Sequence, residues 1–182
     1  MAIERLTRVC VTGPESTGKT TLAQRLADAT STEWVPEASR VYAERKSAPL
    51  AAADVGPIAR EHIALADAAA ERVQQLGAAL LVLDTDLLST VVYARHYYGD
   101  APSWVERAER ERRADLYLLC NVDVPWVPDG IRDLPEGRHE MFAAFERALS
   151  RRHARYVRVS GDWEQRWRTA CEAVRTLCAR SR

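Results

Sequence analysis

Gly13-Pro14-Glu15-Ser16-Thr17-Gly18-Lys19-Thr20-Thr21 decides the fold. Two glycines with four residues between them, then lysine and threonine, make the G-x-x-x-x-G-K-[ST] pattern of a phosphate-binding loop. The flanks fit this reading. Leu6 to Thr12 is a short β-branched stretch that reads as a buried strand, and Thr21 to Ala27 sets Leu22 and Leu26 one helical turn apart. In that order of strand, loop and helix, backbone N–H groups and the positive end of a helix meet a phosphate. Gly13 and Gly18 permit the backbone turns. Lys19 brings a mobile positive charge to the β- and γ-phosphates, and Thr20 a hydroxyl to Mg²⁺. Pro14, Glu15, Ser16, Thr17 and Thr21 complete the cradle, so ATP and Mg²⁺ are the expected cofactors.

The chain has 182 residues, 47% of them hydrophobic, which suits a single domain over 1–182. Lys+Arg and Asp+Glu are both 26, so the net charge is zero and nucleic acid is not the expected partner. Lys19 and Lys46 are the only lysines, and one of them falls where a phosphate loop needs it. Cys10, Cys120, Cys171 and Cys178 lack ligand-like spacing and read as buried free thiols in a reducing compartment, so a cytoplasmic location is expected. The N-terminus runs straight into the first strand, so no leader is expected, and no apolar run approaches the ~18 residues that span a membrane. Self-association, as a homo-oligomer, is left open.

Strand signals alternate with helical ones, which predicts an α/β domain with a parallel sheet and crossover helices. Glu33 to Pro36 is a short second strand. Val55, Ile58, Ala59, Ile63, Ala66, Ala70, Val73 and Leu76 carry helical spacing up to a stop at Gly77. Ala79 to Asp84 is the most hydrophobic strand and is expected at the centre. A helix follows from about Asp86 to Tyr98, and Ser103 with Glu106 suggests a capping box for the next. Leu116 to Cys120 and Tyr156 to Val159 complete five strands. Met141, Phe142, Phe145 and Leu149 mark another helix. Asp162 with Gln165 caps a final helix, whose apolar face runs through Trp163, Trp167, Ala170, Cys171, Val174 and Leu177 as core.

Three constellations carry chemistry. Leu80 to Asp84 is an apolar strand ending in a carboxylate, and in a parallel sheet such a tip lies beside the phosphate loop. Asp84 is therefore expected to act with Thr20 at the metal, while Asp86 is either functional or the cap of its helix. Glu37 and Arg40 follow the second strand, where small kinases of this kind receive the phosphate acceptor. Glu37 is suited to bind acceptor hydroxyls or take a proton, with a surface ion pair to Arg40 as the competing reading. The sequence leaves the base open among Glu37, Asp84 and Asp86. The third constellation is the proline-rich stretch Val124 to Arg132, continuing to Arg138. Arg132 and Arg138 read as lid arginines that close on ATP phosphates, in a lid of about 121–140, although solvated arginines also fit for Arg138. Tyr93, Tyr97 and Tyr98 share the helix after Asp84; packing is the plain reading, and stacking on an acceptor ring, Tyr93 first, is the functional one. His62, His96, His139 and His153 share no ligand spacing and read as surface or structural.

Four segments together resemble the ribosylnicotinamide kinase domain of the bacterial NAD-biosynthesis regulator family and related stand-alone P-loop ATPase/kinase proteins. They are Gly13 to Thr20, Glu37-Ala38-Ser39-Arg40, Asp84-Thr85-Asp86, and Trp126-Val127-Pro128-Asp129-Gly130-Ile131-Arg132. The resemblance covers residues 8 to about 178. It implies a three-layer P-loop NTPase fold of nucleoside-monophosphate-kinase type, with parallel strand order 2-3-1-4-5 and a lid. It implies ATP·Mg²⁺ as donor and a small-molecule nucleoside, nicotinamide riboside, as acceptor. Lys19, Asp84, Arg132 and Glu37 would then be catalytic, and Glu37, Arg40, Asp86, Tyr93, Trp126 and Asp129 would face the acceptor. By analogy with small kinases, adenine lies between the lid and Ser160-Gly161-Asp162-Trp163, with Asp162 beside it. The regulator's DNA-binding and adenylyltransferase parts have no counterpart here, so neither activity is implied. Pro36 stands where the family has an aromatic beside the acid. A kinase for another nucleoside, an ATPase without acceptor, and a nucleotide-sensing module remain the rival functions.

Overall fold

A computed structural model describes residues 5–125 and 137–180. Five parallel strands form one sheet in the order β2-β3-β1-β4-β5, as expected. The strands are β1 (Thr7–Thr12), β2 (Trp34–Val35), β3 (Leu80–Asp84), β4 (Leu116–Cys120) and β5 (Tyr156–Val159). The helices are α1 (Lys19–Ala29), α2 (Ala38–Lys46), α3 (Val55–Gln75), α4 (Leu87–Tyr98), α5 (Ser103–Glu111), α6 (Arg138–Arg151) and α7 (Trp163–Arg180).

Side chains alternate across each strand, so both faces of the sheet are apolar and both need helices. Val9 and Val11, Val82, Leu116 and Leu118 face α1 and α7, where Leu22, Leu26, Ala170 and Val174 meet them. Cys10, Leu81, Leu83, Tyr117 and Leu119 face the other way, onto α3, α4 and α6. There Phe145 and Leu149 are fully buried. The small residues Ala66, Ala69 and Ala70 let the long α3 lie close to the sheet. The result is helix–sheet–helix, with the carboxyl ends of β1, β3 and β4 on one edge.

Several buried ionisable groups are held by specific partners. Glu109 of α5, 2% exposed, receives the Arg152 Nε–H at 2.9 Å on both oxygens and so ties α5 to the end of α6. Tyr117 of β4 donates its hydroxyl to Asp86 at 2.8 Å, and the other oxygen of Asp86 caps α4 at the Leu88 N–H, 3.0 Å away. Asp162 caps α7 as expected: its carboxylate accepts from the N–H groups of Glu164 and Gln165, and Gln165 returns a bond to the Asp162 N–H.

Several expectations are corrected. Ser103 is not a cap: α5 begins at Ser103 itself, behind Pro102, so its hydroxyl is one position too far in to reach the leading N–H groups. Glu106 instead pairs with Arg95. Leu76 is 78% exposed and is the C-cap residue, just past the end of the helix at Gln75. Trp163 is 55% exposed and is not core. Of the thiols, Cys10 and Cys120 are buried, whereas Cys171 and Cys178 are half-buried; all four are free. His96, His139 and His153 are exposed, and His62 is buried. Among the described residues no helix is long and apolar enough to cross a membrane.

Burial of His62 has a consequence for stability. Desolvation, reinforced by the charge of Arg112 and opposed by Asp67, lowers its pKa from 6.5 to about 4. Between those values the unfolded chain binds a proton that the folded chain refuses, so this residue withdraws stability as the pH falls below 6.5, by about 3 kcal/mol at most. Asp84 and Asp86, raised to about 6, act in the opposite sense but are shared by parent and variant. His62→Gln should therefore gain about 5 °C in Tm relative to the parent on going from pH 7.5 to pH 5. A Tm difference equal at both pH values would contradict the depressed pKa.

Candidate active site

The loop after β1 is held from both ends. At Gly13, φ is 132°, and an added Cβ would lie 2.7 Å from the Cys120 carbonyl oxygen, so β4 comes too close for any other residue. At Gly18, φ is 76°, and an added Cβ would lie 2.5 Å from the Trp163 ring. Within the loop, the Thr17 hydroxyl donates to the Pro14 carbonyl at 2.8 Å. Lys19 Nζ donates to the same carbonyl at 2.8 Å and is itself buried. Gly18 brings no side chain to cap α1, so the helix presents its first N–H groups to a ligand.

Parallel pairing sets Val11 opposite Asp84, and the Thr85 N–H donates to the Val11 carbonyl at 2.9 Å. The tip of β3 is thereby fixed beside the loop. The Thr20 hydroxyl donates to Asp84 Oδ2 at 2.6 Å. Asp84 Oδ1 is buried and has no hydrogen-bond partner among the described residues. Burial pushes the Asp84 pKa up to about 6; Glu37 adds to this, while Lys19, the Thr20 bond and Arg40 pull it back. A desolvated carboxylate with one uncommitted oxygen, beside a threonine hydroxyl, is a donor set that suits Mg²⁺. That ion takes few protein oxygens and completes its shell with phosphate and water.

Glu37 lies at the head of α2, 6% exposed, and accepts from the Ser39 hydroxyl at 2.7 Å. Arg40 is half-buried one turn on. Between α2, α3 and α4 opens a cavity of about 450 Å³, walled by Ala38, Ser39, Val55, Ile58, His62, Thr85, Asp86, Tyr93, Tyr97 and Tyr98 among others. Its size suits a nucleoside-sized molecule. Tyr93 and Tyr97 lie 6.1 Å apart, stacked within 8° of parallel. Asp86 is on this wall, but its oxygens are engaged by Tyr117 and Leu88, so the geometry gives it the capping role.

Arg138, the first residue of α6, reaches the Ser16 and Val124 carbonyls, each at 3.3 Å, so it lies against the phosphate loop rather than in solvent. Trp126, Asp129 and Arg132 lie outside the described residues. Asp162 is occupied as the cap of α7, at the turn from which Trp163 reaches over Gly18.

Arg166 was not singled out from the sequence, yet it organises the nucleotide side. It is 2% exposed. Its guanidinium donates to the carbonyls of Gly161 at 2.9 Å, Thr17 at 3.1 Å and Asn121 at 3.0 Å, and pairs with Asp123. The Gly161 N–H also donates to Asp123, at 2.6 Å. Burial alone would raise the Asp123 pKa, but the Gly161 N–H and Arg166 hold it below its usual value. One side chain thus joins the phosphate loop, the end of β4 and the β5–α7 turn.

Fold and site together define a P-loop nucleotide-binding protein of kinase-like type. The chain belongs to the AAA domain family, which matches residues 8–166. It is homologous to the trifunctional NAD biosynthesis/regulator protein NadR of Escherichia coli (strain K12), at 28% identity over 181 residues, 96% of this chain and 43% of that protein. The NadR protein of Salmonella typhimurium (strain LT2) is 30% identical over 130 residues, covering 69% of this chain and 31% of its own length. The chain therefore spans less than half the length of these curated relatives. A crystal structure of NadR protein in complex with NR superposes with a TM-score of 0.75 at 26% identity, over 94% of this chain and 51% of the other. Thymidylate kinase from Ehrlichia chaffeensis shares the fold, with a TM-score of 0.67 at 13% identity, over 95% of this chain and 99% of the kinase.

Arg166→Met should strip the Thr17, Asn121 and Gly161 carbonyls and Asp123 of a common donor. Leaving such groups unpaired costs on the order of 3 kcal/mol, so Tm should fall by roughly 6–12 °C, and KM for ATP should rise in a variant that still folds. A thermal melt within about 2 °C of the parent would show that the guanidinium does not hold these segments together.

Proposed function

We propose that this protein transfers the γ-phosphoryl group of ATP to the 5′-hydroxyl of nicotinamide riboside, giving nicotinamide mononucleotide. The observation that carries the acceptor reading is the wall of the 450 Å³ cavity: its described lining includes Asp86 and three tyrosines and no arginine or lysine. The chain has 26 basic residues, so their absence from this one wall is informative. A nucleoside monophosphate would need a cation there for its phosphate. A nucleoside with a flat, positively charged ring would not, and tyrosine faces beside a carboxylate favour it. The NadR structure holding NR supports the same acceptor.

In this reading ATP phosphates rest on residues 13–21, with Lys19 at the β- and γ-phosphates. Thr20 and Asp84 would hold Mg²⁺, which when bound offsets charge on the phosphates. Glu37 binds the acceptor's hydroxyls from the head of α2. Arg138, already against Ser16, and Arg132 provide guanidinium groups for charge on the transferring phosphoryl. Tyr93 belongs to the cavity wall; Arg40, which is not part of that described lining, is assigned with Trp126 and Asp129 to the acceptor side, and Asp162 and Trp163 to the adenine side.

An acceptor panel tests this. ADP release should be fast with ATP and nicotinamide riboside and slow without acceptor. Release driven by a different nucleoside would replace the acceptor, slow hydrolysis indifferent to acceptor would make the protein an ATPase, and tight binding without turnover would make it a sensor. Lys19→Ala should abolish turnover while the fold persists. Asp84→Asn should lower kcat with every acceptor, whereas Glu37→Gln should chiefly raise the acceptor KM; the reverse pattern would exchange their roles. Arg132→Ala should lower kcat by ~10³-fold with little change in nucleotide affinity.

A further inference from the structure

His62 lies on the inner side of α3 and touches two cavities. One is the 450 Å³ acceptor cavity; the other, of about 400 Å³, is walled by Arg8, Asp67, Glu111 and Arg112. The imidazole is 6% exposed, yet it makes no hydrogen bond to any described residue. The side chain lines both cavities, and no described residue offers its ring nitrogens a hydrogen bond. A buried imidazole with two unspent polar atoms is unusual, because such groups normally find a partner within the protein. The missing partner is explained if a ligand supplies it.

We propose that His62 is a specificity-determining residue of the acceptor cavity, one that hydrogen-bonds a neutral polar substituent on the acceptor's ring and prefers a carboxamide to a carboxylate. This rests on the reading of that cavity as the acceptor site. A neutral imidazole offers one donor and one acceptor, which is the complement of an amide; a carboxylate can only accept. Burial keeps the ring neutral at pH 7, so it neither repels a cationic ring nor attracts an anionic substituent. The one carboxylate of the described lining, Asp86, disfavours a carboxylate further. The rest of the described lining is apolar side chains, hydroxyls and tyrosines, without a cation to accept an anion.

The test compares kcat/KM for nicotinamide riboside and for its carboxylate analogue in the parent, His62→Leu and His62→Gln. The parent should favour the amide. His62→Leu keeps the volume but not the hydrogen bonds; it should lose roughly 10-fold on the amide, in KM for the acceptor rather than KM for ATP, and the amide-to-acid ratio should fall. His62→Gln, which keeps a donor and an acceptor, should recover most of the ratio. Should His62→Leu not fold, His62→Met serves the same comparison. An unchanged ratio and acceptor KM in the leucine or methionine variant would overturn the assignment, as would equal losses in the leucine and glutamine variants. If the parent instead phosphorylates a different nucleoside, the acceptor reading fails. The His62 assignment is then judged on that nucleoside's KM, which must rise in His62→Leu and recover in His62→Gln.

Discussion

The pairing of β1 with β3, which sets Val11 opposite Asp84, is the constraint on which the rest depends. It brings an acid from the tip of one strand to the hydroxyl of Thr20, 2.6 Å away, although 64 positions separate them in the chain. A one-residue slip of β3 would turn Asp84 to the opposite face of the sheet and take its carboxylate away from Thr20. The slip is prevented by packing. Leu81 and Leu83 fill one core and Val82 the other, so the register that buries them also delivers the carboxylate. The Thr20–Asp84 contact at this edge is thus a by-product of hydrophobic alternation in a strand buried on both faces.

Around that contact the chain places uncommon groups in its interior and balances them in pairs. Arg166 is buried against Asp123 and three carbonyls, Glu109 against Arg152, and Asp86 against Tyr117. None of these pairs is a strong source of net stability, since desolvation offsets much of the attraction. Their directional bonds nevertheless fix how segments meet. Arg166 fixes how the phosphate loop meets the end of β4 and the β5–α7 turn, and Asp86 fixes where α4 starts and therefore where the tyrosine wall of the cavity between α2, α3 and α4 stands. Asp84 and His62 differ in kind: Asp84 keeps one buried oxygen without a partner beside Thr20, and the His62 imidazole, without a hydrogen bond to a described residue, lines the cavity between α2, α3 and α4.

The features legible in the sequence were the local ones. The phosphate loop, the apolar run into Asp84, and the Asp162–Gln165 cap each lie within a few residues, and periodicity or spacing exposes them directly. The strand order followed from the resemblance. Ser103 misled because Ser-x-x-Glu matches a cap wherever it stands, whereas Pro102 had already taken the cap position. Trp163 misled because helical spacing puts it on the apolar stripe of α7, but as the first residue of the helix it projects past the core onto Gly18. Arg166 was hidden among many arginines, its partners Thr17 and Asn121 standing 149 and 45 positions away. His62 was hidden because its significance is a lack of partners, which only a folded chain displays.

The central claim is that donor and acceptor sites adjoin across the tip of β3, with the nucleotide on the loop before α1 and the nucleoside between α2, α3 and α4. An adenosine polyphosphate joined to the 5′ oxygen of nicotinamide riboside spans both. Equilibrium competition with this compound is the most direct measurement. The account predicts that it binds more tightly than either half alone and is displaced both by ATP and by nicotinamide riboside. Displacement by ATP only, with affinity no better than the adenosine half, would contradict it.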